Sequence, residues 1–103
     1  MKITIRRSGG FAGPLMSRTF ALDTTELPPY DAEKIESLLA ACPLAVLHNK
    51  RFRARGGADL LKYEVKIEGP ASTTRFLFDE SAVPADFEKP WEFLTALMAS
   101  AQP

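Results

Sequence analysis

The sequence predicts an α+β domain of order ββαββα: a four-stranded antiparallel sheet with two helices packed on one of its faces. Three observations carry this. Residues 2–8 and 15–22 flank a glycine-rich segment and read as a hairpin. Residues 59–68 and 73–79 flank Gly69-Pro70-Ala71-Ser72 and read as a second. Each hairpin is followed by a stretch with apolar residues at helical spacing. With 103 residues the chain has the size of one domain. An apolar content of 46% supports a real core, so folding rather than disorder is expected.

In the first strand Ile3 and Ile5 face one way, Thr4 and Arg6 the other. Gly9, Gly10, Gly13 and Pro14 interrupt the alternation, which resumes with Met16, Phe20 and Leu22 on one face. The connection is longer than a tight two-residue turn. Asp23-Thr24-Thr25 closes the hairpin. Pro28-Pro29 bars a helix at that point, and Asp31 becomes the expected N-cap, its carboxylate accepting from free first-turn N–H groups. Ile35, Leu38, Leu39 and Cys42 recur at i, i+3, i+4, i+7, the stripe of an amphipathic helix, and Pro43 stops it. Leu44, Val46 and Leu47 fit one further helical turn, and Asn49 to Gly57 form a basic loop with Phe52 inside it.

The second hairpin has the clearest pattern. Leu61, Tyr63, Val65 and Ile67 alternate with Lys62, Glu64, Lys66 and Glu68, so one face belongs to the core and the other to water. Thr74, Phe76 and Phe78 share a face on the return strand. Pro90 is expected at the first position of the last helix, where its missing N–H costs nothing. Trp91, Leu94, Leu97 and Met98 line one side of that helix, with Phe87 docking from the turn before it. The pattern leaves the strand order open.

Charge and composition narrow the function. Lys+Arg and Asp+Glu are 13 each, whereas a nucleic-acid binder normally carries a cationic surplus. The one cysteine, Cys42, cannot form an internal disulfide and sits on an apolar stripe as a small hydrophobe. His48 is the one histidine, at a helix end, and no second His or Cys stands at metal-ligand spacing, so no metal and no cofactor are expected. Asp79, Glu80, Asp86 and Glu88 are spread through a connection and read as a solvated link. No nucleophile, base and orienting group can be named together, so no catalytic residue and no enzymatic activity are expected. Met1 to Arg7 lack the apolar core of a secretory signal, and no run approaches the ~20 apolar residues of a membrane span. A cytoplasmic address is the expectation.

Two segments stand out. Lys50, Arg51, Arg53 and Arg55 surround Phe52. Such a loop can hold phosphates and stack a base, can be plainly solvated with Phe52 turned into the core, or can form a rim that meets an acidic protein surface and speeds encounter. The balanced charge favours the last two. The run Ser8-Gly9-Gly10-Phe11-Ala12-Gly13-Pro14 puts an aromatic in a glycine frame at a hairpin tip. Burying a Phe side chain is worth about 1.5–3 kcal/mol, so leaving one at a loop tip needs a reason. Either Phe11 folds back on its own hairpin or it fills a pocket on a partner.

The strand Ile3-Thr4-Ile5 running into Arg7-Ser8-Gly9-Gly10-Phe11-Ala12-Gly13 resembles the emfourin family. The Asp59…Tyr63-Glu64-Val65 strand and the Val83-Pro84 approach to the last helix extend the resemblance over the whole chain. Emfourin is a protein inhibitor of protealysin and related thermolysin-like zinc metalloproteases. The resemblance therefore implies a bacterial, intracellular inhibitor, one inhibitor domain over residues 1–103 and monomeric when free, whose partner is a metalloprotease of the protealysin type. Neither nucleic acid nor membrane is expected as a partner. Ser8, Gly9, Gly10, Phe11, Ala12, Gly13, Pro14 and Leu15 are the residues expected to enter or cap the protease cleft. Such proteases prefer a bulky apolar residue just after the scissile bond, which Phe11 or Leu15 would supply. Arg51, Arg53 and Arg55 are the expected second contact. The alternative is a non-inhibitory adaptor that binds another protein through the same loop.

Overall fold

Alternation in the first residues gives β1 (Lys2–Gly9) one buried face, and pairing on both edges sets it inside the sheet rather than at its rim. In the computed structural model, which describes residues 1–9, 18–55 and 61–101, β1 pairs antiparallel with β2 (Arg18–Asp23) on one side and with β4 (Leu61–Glu68) on the other. β5 (Thr73–Asp79) pairs antiparallel with β4, and the two-residue β3 (Arg51–Phe52) runs parallel to β5. The sheet order is β2-β1-β4-β5-β3. The helices are α1 (Pro29–Ala40), α2 (Leu44–Leu47) and α3 (Glu88–Ala101).

The fold is thus α+β, but the expected four antiparallel strands and two helices need correcting. The described residues form five strands and three helices, in the order ββααβββα, and the sheet is mixed. The fifth strand arises because the outer edge of β5 has backbone groups that need partners. The chain leaving α2 supplies them. Asn49 N–H donates to the Arg75 carbonyl (2.7 Å) and Leu77 N–H to the Lys50 carbonyl (3.0 Å). Phe52, opposite Phe78 in register, packs against the core.

Both long helices start differently from expectation. α1 begins at Pro29, with Pro28 at the cap and no side-chain capping bond, so Asp31 lies in the first turn instead of at the N-cap. Proline needs no N–H partner there, and the Asp31 charge still suits the positive end of the helix dipole. α3 begins at Glu88 after a tight turn over Ala85–Phe87, which makes Pro90 its third residue. Pro90 remains cost-free because none of the first-turn N–H groups has an intrahelical acceptor.

The core lies between the helices and one sheet face. Ile3 and Ile5 of β1, Val65 and Ile67 of β4, and Phe76 and Phe78 of β5 point into it. Ile35 and Leu39 of α1, Leu94 of α3 and the turn residue Phe87 close it from above. Aromatic edges fit into faces: Phe76 and Phe87 are 4.9 Å apart at 86°, Phe78 and Trp91 5.0 Å apart at 87°. Cys42 is buried among these residues as expected, and burial pushes its thiol up from its ordinary value, with nearby Asp86 adding to the effect. At the other end of the hairpin the Asp23 carboxylate accepts from Thr25 N–H (3.0 Å) and its hydroxyl (2.7 Å), which holds the carboxyl below its usual range. The buried Thr24 hydroxyl donates to Glu36 on α1 (2.8 Å), tying the hairpin to the helix layer. Among the described residues no helix is long and apolar enough to cross a membrane.

Phe87 is wholly buried and touches Phe76, Phe78 and Trp91. Phe87→Ala should destabilise the fold by about 3–5 kcal/mol, the cost of an aromatic-sized cavity, read as a lower urea midpoint at unchanged slope.

Candidate functional site

β1 carries the site because its C-terminal end is where the glycine-rich segment begins. Alternation continues to Arg7 and Ser8, and then Gly9 takes φ 88°, in the left-handed region that glycine enters without penalty. Gly9 nevertheless stays in register with Leu61 of β4, and Ser8 with Lys62. The segment therefore begins at a strand end that β4 still holds, two residues past the last described pair with β2, Arg7 and Arg18. Of the eight predicted loop residues, Ser8 and Gly9 are placed at this strand end, both half-buried. Gly10, Phe11, Ala12, Gly13, Pro14 and Leu15 lie outside the described residues.

Two faces meet at that end of the sheet. On the helix side a groove opens between β2 and the last turns of α3, lined by Ile5, Arg7, Arg18, Phe20, Tyr63 and Met98. On the opposite side the register builds polar rows across the strands. Arg6 of β1 stands beside Glu64 of β4, Leu77 of β5 and Arg51 of β3. Ser8 stands beside Lys62 and Asp79 in the next row.

The basic segment lies at this same end. Arg51, Arg53 and Arg55 are exposed, and Phe52 between them turns toward the core, as one of the readings of the loop had it. β3 is separated from β1 by β4 and β5, so Arg51 and the loop base stand about 14 Å apart at about 4.8 Å per strand. They share one end of the sheet without touching.

Asp79 is the residue that sequence reasoning missed. It was read with Glu80, Asp86 and Glu88 as a solvated link; those three are exposed, but Asp79 is only 7% accessible. Its Oδ2 accepts from the Ala54 N–H at 2.8 Å, across 25 residues of sequence. A buried carboxylate normally requires such a donor. Here it holds the backbone between Arg53 and Arg55 against the end of β5. The only local sign in the sequence is an aspartate closing a strand on its outward parity. Its burial follows from the β3–β5 pairing.

His48 follows α2 at the surface, where its Nδ1 accepts the Arg75 N–H at 3.2 Å, and Cys42 faces the core. They do not form a couple. Asn49 next to it has φ 64°, a conformation asparagine tolerates. Among the described residues no group of three His, Cys, Asp or Glu is placed to hold a metal ion. The site is a surface of backbone, glycine and cations, suited to contact.

Asp79→Ala should leave the Ala54 N–H unpaired and cost roughly 1–3 kcal/mol, with faster amide exchange at Ala54. Asp79→Asn, which keeps an acceptor oxygen, should lose less on both measures. Equal Ala54 exchange in wild type and Asp79→Ala would remove this tie from the description.

No curated protein and no solved structure matches the chain. The model of the emfourin family matches residues 5–95, from the middle of β1 into the second half of α3, and by that match the chain belongs to the emfourin family.

Proposed function

We propose that the chain is a protein inhibitor of thermolysin-like zinc metalloproteases of the protealysin type, acting in the bacterial cytoplasm. The observation that carries the reading is the family match over residues 5–95, which takes in the glycine-rich segment, both hairpins and most of the last helix. The site's chemistry agrees with it: cations and backbone for contact.

The inhibitory element is the run Ser8-Gly9-Gly10-Phe11-Ala12-Gly13-Pro14-Leu15, which enters or caps the protease cleft. A zinc peptidase attacks with a metal-activated water. An inhibitor wins by covering the cleft, by displacing that water or by presenting a bond that is hard to cut. Gly13-Pro14 suits the last route, since Pro14 has no N–H and a fixed φ. Anchoring the segment on a strand paired on both sides spares part of the ordering cost, about 0.5–1.5 kcal/mol per immobilised side chain. A stable complex buries about 1,600 Å² in total, more than one loop supplies, and Arg51, Arg53 and Arg55 provide the second contact.

Titration against a thermolysin-like protease tests the reading. Inhibition at or below micromolar concentration is expected, and its absence would favour an adaptor that uses the same loop. Phe11→Ala should weaken inhibition by about 2 kcal/mol or more, roughly 30-fold, with the urea midpoint unchanged. Lost stability with intact inhibition would mean that Phe11 packs at home, for which the Phe20–Met98 groove offers a place. Arg53→Glu should chiefly slow association, and more so at low salt.

A further inference from the structure

We propose that the open face of the sheet beside the glycine-rich segment belongs to the docking surface, and that Arg6 and Lys62 there meet carboxylates on the protease. The proposal rests on the inhibitor reading and adds two cations that the loop and the basic segment do not include.

The geometry is a continuous strip. Arg6, Ser8, Arg51, Lys62 and Glu64 line one shallow depression on the outer sheet face. Arg51, Arg53, Lys62 and Asp79 line the adjoining one. Arg51 and Lys62 belong to both, so the strip runs unbroken from Ser8 at the base of the glycine-rich segment to Arg53 in the basic segment. Arg6, Arg51, Arg53 and Lys62 are all exposed. The 14 Å gap between the two expected contacts is thus bridged by charge, not by neutral surface.

The charges in the strip do not cancel locally. Of its two carboxylates, Glu64 accepts at Oε2 from Arg75 Nη2 (2.7 Å) and Nε (2.8 Å) and is matched by that cation, while the buried Asp79 accepts from the Ala54 N–H, a neutral donor. Farther along the same face Lys66 pairs with Glu68 at 2.9 Å, which holds the Glu68 carboxyl below its usual range. The ion pairs among the described residues include none of Arg6, Arg51, Arg53 and Lys62. Among the described residues the four cations Arg6, Arg51, Arg53 and Lys62 thus share one carboxylate not matched by another cation, that of Asp79, and an excess of positive charge stands at this end of a chain of zero formal charge. Carboxylates from outside would relieve that.

The occupant is an acidic protein surface rather than a nucleic acid. Single-stranded nucleic acid needs aromatic faces for its bases beside the cations. Among the described residues no aromatic face is offered beside these cations: Tyr63 is stacked on Phe78 and edge-on to Trp91, Phe52 turns to the core, and the exposed large apolar side chains Tyr30 and Val46 lie on α1 and α2 instead. The strip therefore calls for a carboxylate-bearing surface beside the protease cleft.

The test compares association rates with a thermolysin-like protease for wild type, the Arg6→Glu/Lys62→Glu double variant and a control, Lys34→Glu, on the exposed side of α1. At low salt the double variant should associate about tenfold or more slowly, with the gap closing at high salt, and the control should stay within about twofold. Arg6→Gln/Lys62→Gln, which avoids a new carboxylate beside Glu64, should show a smaller loss and guards against misfolding of the reversal. Wild-type rates in both double variants, with the wild type still inhibiting, would overturn the docking face alone. A wild type that neither inhibits nor binds would overturn the inhibitor reading and this proposal together. A short single-stranded oligonucleotide that binds the wild type but not the double variant would replace the acidic protein with a nucleic acid and overturn it as well.

Discussion

The rest of the structure depends on the double pairing of β1. Its backbone is hydrogen-bonded to β2 on one side and β4 on the other, while Ile3 and Ile5 form the floor of the core. The first pairing is local. The second joins residues about sixty positions apart and closes a long loop before it returns any contact, a cost that only the shared apolar face offsets. Once made, it welds two hairpins into one sheet and gives α1 and α3 a common surface. It also decides where the glycine-rich segment begins: at the end of an interior strand.

Sidedness follows from the same strand. Period-two alternation sends Ile3, Ile5, Val65, Ile67, Phe76 and Phe78 to the helices. The same parity sends Thr4, Arg6, Lys62, Glu64, Lys66 and Arg75 to the other face, where ion pairs form along one half and cations gather along the other. A one-residue slip between β1 and β4 would exchange the two sets, so stability and surface charge are fixed by one register. Phe87 and Trp91 then lock the register from above, because their rings fit the gaps left by Phe76 and Phe78.

How much of this was legible in the sequence depends on range. Both hairpins, the α1 stripe, the buried Cys42 and the docking of Phe87 are written in alternation or helical spacing, and they stand where the residues implied; the inward Phe52 is one of the readings its loop leaves open. The helix starts differ from the reading for two reasons: Pro28-Pro29 reads as a barrier although Pro29 at N1 gives up only an idle N–H, and Pro90 reads as the first helical residue although the third position is equally free of an N–H partner. β3 was unreadable for a different reason. Two residues carry no period, and what makes them a strand is the open edge of β5 more than twenty residues later. Asp79 was lost with it, since its burial depends on that pairing. In the site, the positions of Ser8, Gly9 and the arginines along the chain were clear, whereas their arrival at one end of the sheet required the strand order.

That arrival bears on how an inhibitor of this design would divide its work. An apolar hook in a cleft, once seated, governs how slowly the complex comes apart, since contacts at the centre of an interface act on the escape rate. Exposed cations around it are screened and hydrated, so their share of the final affinity is small. Their field acts earlier, before contact, when it orients the approaching surface. A steering field needs to be broad and held in place. Arg6 and Lys62 are fixed by strands in the sheet, Arg51 by its pairing with β5, and Arg53 by the Asp79 carboxylate on the next backbone N–H. A glycine-rich segment alone has no such field. In the proposed inhibitor the buried aspartate and the long-range strand pairing would therefore serve function as well as stability: they bring scattered arginines and lysines of a neutral chain to one end of the sheet, beside the start of the glycine-rich segment.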